Sequence, residues 1–146
     1  MDYGFVGDVD AINASLISTL LQKNLTPVFS PITHDQRGNL LNTNADTIAQ
    51  ELAKGLVNEF DVTLIYSFEK AGVLEDIDNE KSVIPLINKS SYHQLKSDGV
   101  IATGMIPKLD NAFAALNSGV GKVIIGKAEQ VKDLIKGKTG TAIIHE

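Results

Sequence analysis

The pattern of apolar residues predicts an α/β protein with a mostly parallel central sheet and helices on both faces. Three observations carry this. Apolar, β-branched runs of about 4–6 residues recur along the chain, as buried parallel strands require. Amphipathic stripes of about nine residues or more separate them, as crossover helices require. Clusters of Gly, Pro, Asn and Asp punctuate the junctions.

Residues 10–23 carry Ile12, Leu16 and Leu20 one helical turn apart, with Ile17 and Leu21 widening the stripe, and Asn24 is placed to stop the helix. Residues 25–30 form a short apolar run that suits a buried strand. Residues 31–39 read as an excursion, with Asp35, Gly38 and Asn39 as turn formers. After Leu40 and Leu41, Asn42 and Asn44 are each placed to cap a helix whose stripe of Ile48, Leu52 and Leu56 runs to about Val57. Residues 62–67 read as a central strand. Lys70, Ala71 and Gly72 turn the chain, and residues 75–80 form an acidic loop. Residues 83–87 suit a short strand, which Pro85 assigns to an edge. Ser90 or Ser91 is placed to cap a short helix ending near Gly99.

Residues 103–107 form a Gly- and Pro-containing loop. The helix at 108–117 turns Leu109, Ala112, Phe113 and Leu116 inward, and Gly119 stands where a left-handed helix end favours glycine. A strand at 122–125, a helix at 128–136 and a last strand at 141–144 complete the order. Neither a linker nor a repeat interrupts it, so the chain reads as a single domain over residues 1–146.

Composition narrows the function. The chain carries 13 Lys plus Arg against 18 Asp plus Glu, a formal net charge of −5. That balance lacks the basic footprint of a nucleic-acid binder, and Arg37 as the single arginine excludes an arginine-rich clamp. With no cysteine there is no disulfide, thiolate metal site or thiol nucleophile. The acidic start and the lack of a long apolar run make a cytoplasmic protein without signal or membrane span the expectation.

Lys108 is the most informative position. It falls just after Pro107, in a first helical turn, where a cation opposes the macrodipole at a cost of about 0.3–1 kcal/mol. An anion shared by the helix amides and the ammonium would justify the placement; a solvated surface lysine is the competing reading. Asn42, Asn44 and Asp46 gather at one strand end, where capping competes with chemistry. Other motifs fail. Gly119-Val120-Gly121-Lys122 lacks the upstream glycine and the Ser/Thr of a phosphate loop. The stretch from Asp76 has Lys81 and Ile87 where a calcium loop needs Gly and Glu. His34, His93 and His145 are scattered, so no metal site is expected. No G-x-S-x-G elbow is present.

Five segments occur in an ordered series: Gly4-Phe5-Val6-Gly7-Asp8-Val9, Leu41-Asn42-Thr43-Asn44-Ala45-Asp46, Gly72-Val73-Leu74, Gly104-Met105-Ile106-Pro107-Lys108-Leu109 and Gly140-Thr141. In that order they resemble the acetylglutamate kinases of the amino acid kinase family. The resemblance spans nearly the whole chain but matches only the C-terminal, nucleotide-binding half of such an enzyme. The N-terminal acylglutamate-binding half, with its Gly-Gly phosphate loop, is expected to be absent and the isolated chain to be inactive or weakly active.

The resemblance implies transfer of the γ-phosphate of ATP to the γ-carboxylate of N-acetyl-L-glutamate, a step of arginine biosynthesis. N-succinyl-L-glutamate is the variant acceptor, and aspartate, carbamate or a nucleoside monophosphate are acceptors of a less favoured reading. A non-catalytic nucleotide-binding or regulatory module is the alternative of another class. Catalytic roles fall on Lys108, at the phosphoryl group in flight, and Asp46, which would orient the active-site lysines. Asn42 and Asn44 would contact the acylglutamate. Glu69, Lys70, Ala71, Gly72, Val73 and Leu74, with Val100, Ile101 and Ala102, would line the nucleotide. At Phe68-Glu69-Lys70-Ala71 the chain departs from the shorter turn, beginning with Asp, of many relatives. Mg2+ would be held mainly by the nucleotide, and a homo-oligomer is expected. A γ-carboxylate, with an ordinary pKa of about 4.3, is ionised at neutral pH and needs no general base. Positioning and positive charge at the equatorial oxygens then supply the catalysis.

Overall fold

The computed structural model describes residues 4–145. The chain divides into two compact units, Met1–Phe60 and Asp61–Glu146.

The first unit is built from two helices and a hairpin. Helix α1 (Ala14–Gln22) starts later than its stripe suggests, because Asn13 caps it by accepting the Leu16 amide at 3.0 Å. It stops at Asn24, which takes a left-handed φ of 57°. The apolar run at 25–30 is not a strand: Leu25, Val28 and Phe29 are 55%, 92% and 48% exposed. Pro27 removes one ladder donor from the middle of the run, and among the described residues no neighbour pairs with it. The expected excursion instead contains strand β1 (Ile32–His34), paired antiparallel with β2 (Leu40–Asn42).

Their connection is tied by Asp35, whose carboxylate accepts the Arg37 and Asn39 amides at 2.8 and 3.1 Å and the Asn39 side chain at 2.7 Å. The Asn39 side chain first, then the Arg37 amide, hold the Asp35 carboxyl below its ordinary range. Helix α2 (Ala45–Leu56) follows β2 directly. It has Gly55 where a β-carbon would collide with the Ile12 side chain, so the glycine lets the segment before α1 pack against α2.

The second unit holds a four-stranded sheet in the order β3-β5-β6-β4. Strand β3 (Thr63–Phe68) runs parallel to β5 (Lys122–Lys127), and β4 (Leu86–Ile87) parallel to β6 (Thr141–Ile143), while β5 and β6 are antiparallel. Two of three pairings are therefore parallel, as expected of the fold class. The strand read as central, β3, lies instead at one edge of this sheet. Its alternating burial is that of a strand with one covered face, whereas Val123, Ile124, Ile125 and Gly126 of β5 are buried in succession. Since successive side chains point to opposite faces, β5 is covered on both. Pro85 does precede an edge strand, β4.

Helix α3 (Lys89–Ser97) is capped by Asn88, not by Ser90 or Ser91. Asn88 accepts the Ser91 amide at 2.8 Å while the Ser91 hydroxyl accepts the Asn88 amide at 3.0 Å, a reciprocal box. A 3-10 turn (Thr103–Met105) leads into α4 (Ile106–Asn117), whose Leu109, Ala112, Ala115 and Leu116 are buried. Gly119, with φ 98°, ends that helix in the left-handed conformation. The helix expected at 128–136 is a 3-10 turn followed by the short α5 (Val131–Ile135). Its Leu134 is fully buried and packs where β-carbons on Gly126 or Gly140 would stand.

Candidate functional site

In the first unit, the start of the chain and the asparagine-rich segment are joined by backbone. The Asn42 amide donates to the Phe5 carbonyl at 2.8 Å and the Gly7 amide to the Asn42 carbonyl at 3.0 Å. The close approach needs a glycine, because a β-carbon on Gly7 would stand 2.8 Å from Leu41 Cβ. Buried Thr43 exchanges a 2.8 Å hydrogen bond with Thr33. Asn42 and Asn44 are exposed and Asp46 is half-buried, all within five residues at the end of β2 and the start of α2. Of the two candidate caps it is Asn44 that serves, accepting the Asp46 and Thr47 amides at 2.8 and 3.2 Å. The Asn44 side-chain oxygen is thus already engaged, while Asp46 adds a carboxylate to the first helical turn.

The second unit contains a cavity of about 290 Å³ beyond the carboxyl end of β3. Its lining includes Lys70, Gly72, Val73, Leu74, Val100 and Ala102, so two segments named from the sequence meet around one space. Glu69, Ala71 and Ile101 belong to those segments but not to the lining; Glu69 is exposed and Ile101 is buried beneath. Phe68, Ile77, Gly104 and Met105 complete the wall, although the sequence reading does not assign them to the nucleotide lining. Gly104 and Met105 were legible as neighbours of Lys108. Ile77 was hidden, because an apolar residue in an acidic turn carries no periodicity.

The wall from Gly72 to Leu74 is pinned from below. Fully buried Thr141, the first residue of β6, accepts the Val73 amide through its hydroxyl at 2.8 Å. A β-carbon on Gly72 would fall 2.7 Å from that hydroxyl and 2.9 Å from Val83, so the wall can lie this close only without a side chain there. The glycine of the third motif and the threonine of the fifth therefore form one contact.

Lys108 occupies the first turn of α4, whose N-terminus has no side-chain cap. Its ammonium lies 5.5 Å from the Phe68 ring centre and 5.8 Å from that of Tyr66. Cation–π attraction of about 0.5–1 kcal/mol offsets the unfavourable dipole. Phe68 both touches this ammonium and lines the cavity, so apolar space, uncapped helix amides and a lysine adjoin one another. Such a set is chemically complementary to a ligand with a flat apolar part and an anionic tail. Among the described residues, no group of three or more His, Asp or Glu side chains is arranged to hold a metal ion.

A mixed sheet with a cavity at the carboxyl end of one strand and a helix N-terminus beside it defines an α/β protein with a strand-end pocket. The chain belongs to the amino acid kinase family, whose sequence pattern matches residues 1–127. It is 56% identical over 133 residues to the acetylglutamate kinase of Bacteroides thetaiotaomicron, covering 91% of this chain and 52% of that protein. It is 52% identical over 146 residues to the acetylglutamate kinase of Cytophaga hutchinsonii, covering 99% of this chain and 55% of that protein. Among solved structures, it is similar to smu.665 from Streptococcus mutans, with a TM-score of 0.74 and 33% identity over 97% of this chain and 52% of that one. The chain spans about half the length of the curated relatives it matches.

Proposed function

We propose that this chain is the nucleotide-binding part of a kinase that transfers the γ-phosphate of ATP to the γ-carboxylate of N-acetyl-L-glutamate. The observation that carries this reading is the meeting of the Phe68–Leu74 and Val100–Met105 segments around one apolar cavity beside Lys108. The identity to acetylglutamate kinases supports the choice of acceptor.

In this reading the base enters between Val73, Leu74, Val100 and Met105, and the phosphates extend toward the first turn of α4. Lys108 meets the charge that develops on the transferring group, with its ammonium over the Tyr66 and Phe68 rings. Asn42 and Asn44 contact the acceptor, and Asp46 orients the active-site lysines. The acceptor carboxylate is ionised at neutral pH, so positioning and positive charge suffice. The magnesium ion is assigned to the nucleotide's phosphate oxygens, since among the described residues no group of three or more His, Asp or Glu side chains is arranged to hold a metal ion. Homo-oligomerisation belongs to the same proposal.

Calorimetric titration of the 146-residue chain with ATP-Mg, followed by an assay for acyl phosphate, tests the reading. Binding is expected. Turnover in a longer version that includes the remaining length of the relatives would establish the kinase. Binding without turnover in that version would favour a regulatory module, and no binding would refute the cavity's assignment.

A further inference from the structure

We propose that Lys127 and Glu80 form a latch that sets the loop at residues 75–82 over the cavity and so controls how tightly the nucleotide's base is held; the proposal rests on the nucleotide reading above. The loop is a self-supporting piece. An antiparallel bridge between Leu74 and Val83 closes its base, with the Glu75 amide donating to the Ser82 carbonyl at 2.9 Å. The Ser82 hydroxyl is 2.9 and 2.7 Å from the Asp76 and Asn79 carbonyls, and Asp76 and Asn79 each accept a loop amide. A turn knitted this way moves as a unit. It carries Ile77, which is 57% exposed and yet lines the cavity, so it stands at the rim.

The Glu80 carboxylate accepts the Lys127 ammonium at 3.3 Å. Lys127 is the last residue of β5 and the register partner of Phe68, so the two side chains leave the same face of the sheet. The ion pair therefore fastens the rim to the strand end beside the cavity floor. Lys127 as a direct phosphate contact is the competing role, and the two roles predict opposite effects of removing Glu80. A latch without its carboxylate lets Ile77 retreat. A phosphate-binding lysine freed from a competing carboxylate would hold ATP more tightly.

The test is calorimetric titration of the 146-residue chain with ATP-Mg and, separately, with adenosine, for the wild type, Lys127→Ala, Glu80→Gln and the swap Glu80→Lys with Lys127→Glu. Thermal melts confirm that each variant folds. The latch predicts a Kd raised about two- to fivefold for both ligands in each single variant, the range of a partly exposed ion pair, and near-normal binding in the swap. Tighter ATP binding in Glu80→Gln, or an effect of Lys127→Ala confined to ATP, overturns the latch. Variants that bind as the wild type does overturn it as well. A wild type that binds neither ligand overturns the nucleotide reading and the latch with it.

Discussion

At Lys108 the chain accepts an electrostatic cost. A lysine in the first turn of a helix is unfavourable by a few tenths of a kcal/mol, and the Tyr66 and Phe68 rings return about as much. In the proposed reaction the ammonium acts mainly on charge that appears as the phosphoryl group moves. Lys108→Ala in a full-length version should therefore lower kcat at least about 10²-fold while ATP affinity changes much less. Steady-state kinetics with a separate binding titration checks this, and a near-normal kcat would remove the role. Thr141 gives a contrasting case. Its hydroxyl accepts a buried amide beside the cavity, so Thr141→Val leaves the Val73 N–H unsatisfied. A loss of about 1–3 kcal/mol of stability is expected in urea titration, together with weaker nucleotide binding.

The helices show what holds the pieces in place. Asn44 caps α2 and also sits where the acceptor is proposed to bind. Asn44→Ala should cost about 0.5–2 kcal/mol through the cap alone, and Asn44→Asp should restore that stability. If Asn44 also contacts the acceptor, Asn44→Asp should stay weak in KM for acetylglutamate, which separates the two roles. The junction of α3 and α4 is a second case. The Tyr92 hydroxyl donates to Asp110 at 2.6 Å, its ring stacks on Phe113, and the Lys96 ammonium donates to the Tyr92 oxygen at 3.2 Å.

Burial first, and then the hydrogen bond to Asp110, raise the Tyr92 hydroxyl above its ordinary 10.0. The hydrogen bond to Tyr92 raises Lys96 above 10.5. Groups whose pKa is raised on folding stabilise the fold at lower pH and lose that contribution as pH rises through their titration. Stability measured in urea should therefore fall from about pH 10 upward, and fall less in Tyr92→Phe, which starts about 1 kcal/mol lower at neutral pH.

Across the whole chain, what could be read from the sequence divides by physical cause. Helices α1, α2, α3 and α4 were legible because amphipathic stripes and Asn, Gly and Pro punctuation are local signals. Strands β3 to β6 are legible as apolar runs, but β1 and β2, each three residues long, are not, and rank in the sheet is not, because pairing is non-local. Hence β3 was read as central although β5 is the strand buried on both faces. The run at 25–30 was misread because hydrophobicity alone cannot show that a strand has a neighbour. Within the cavity, Gly72, Val73, Leu74, Val100 and Ala102 were reached through resemblance, whereas Ile77 and Phe68 required coordinates.

The exposed run has its own consequence. Phe5, Val6, Leu25, Val28 and Leu40 of the first unit are each more than half exposed, and exposed apolar side chains in such number favour association. Sedimentation velocity should show the 146-residue chain self-associating as concentration rises, and Val28→Lys should weaken that association.

The central proposal is that the cavity beside Lys108 binds the nucleotide. Its most direct test is the amide NMR spectrum of the isotopically labelled 146-residue chain as ATP-Mg is added. Saturable shifts concentrated at Phe68 to Ile77, Val100 to Met105 and the first turn of α4 are expected. Saturable shifts centred elsewhere, with those amides unmoved, would contradict it.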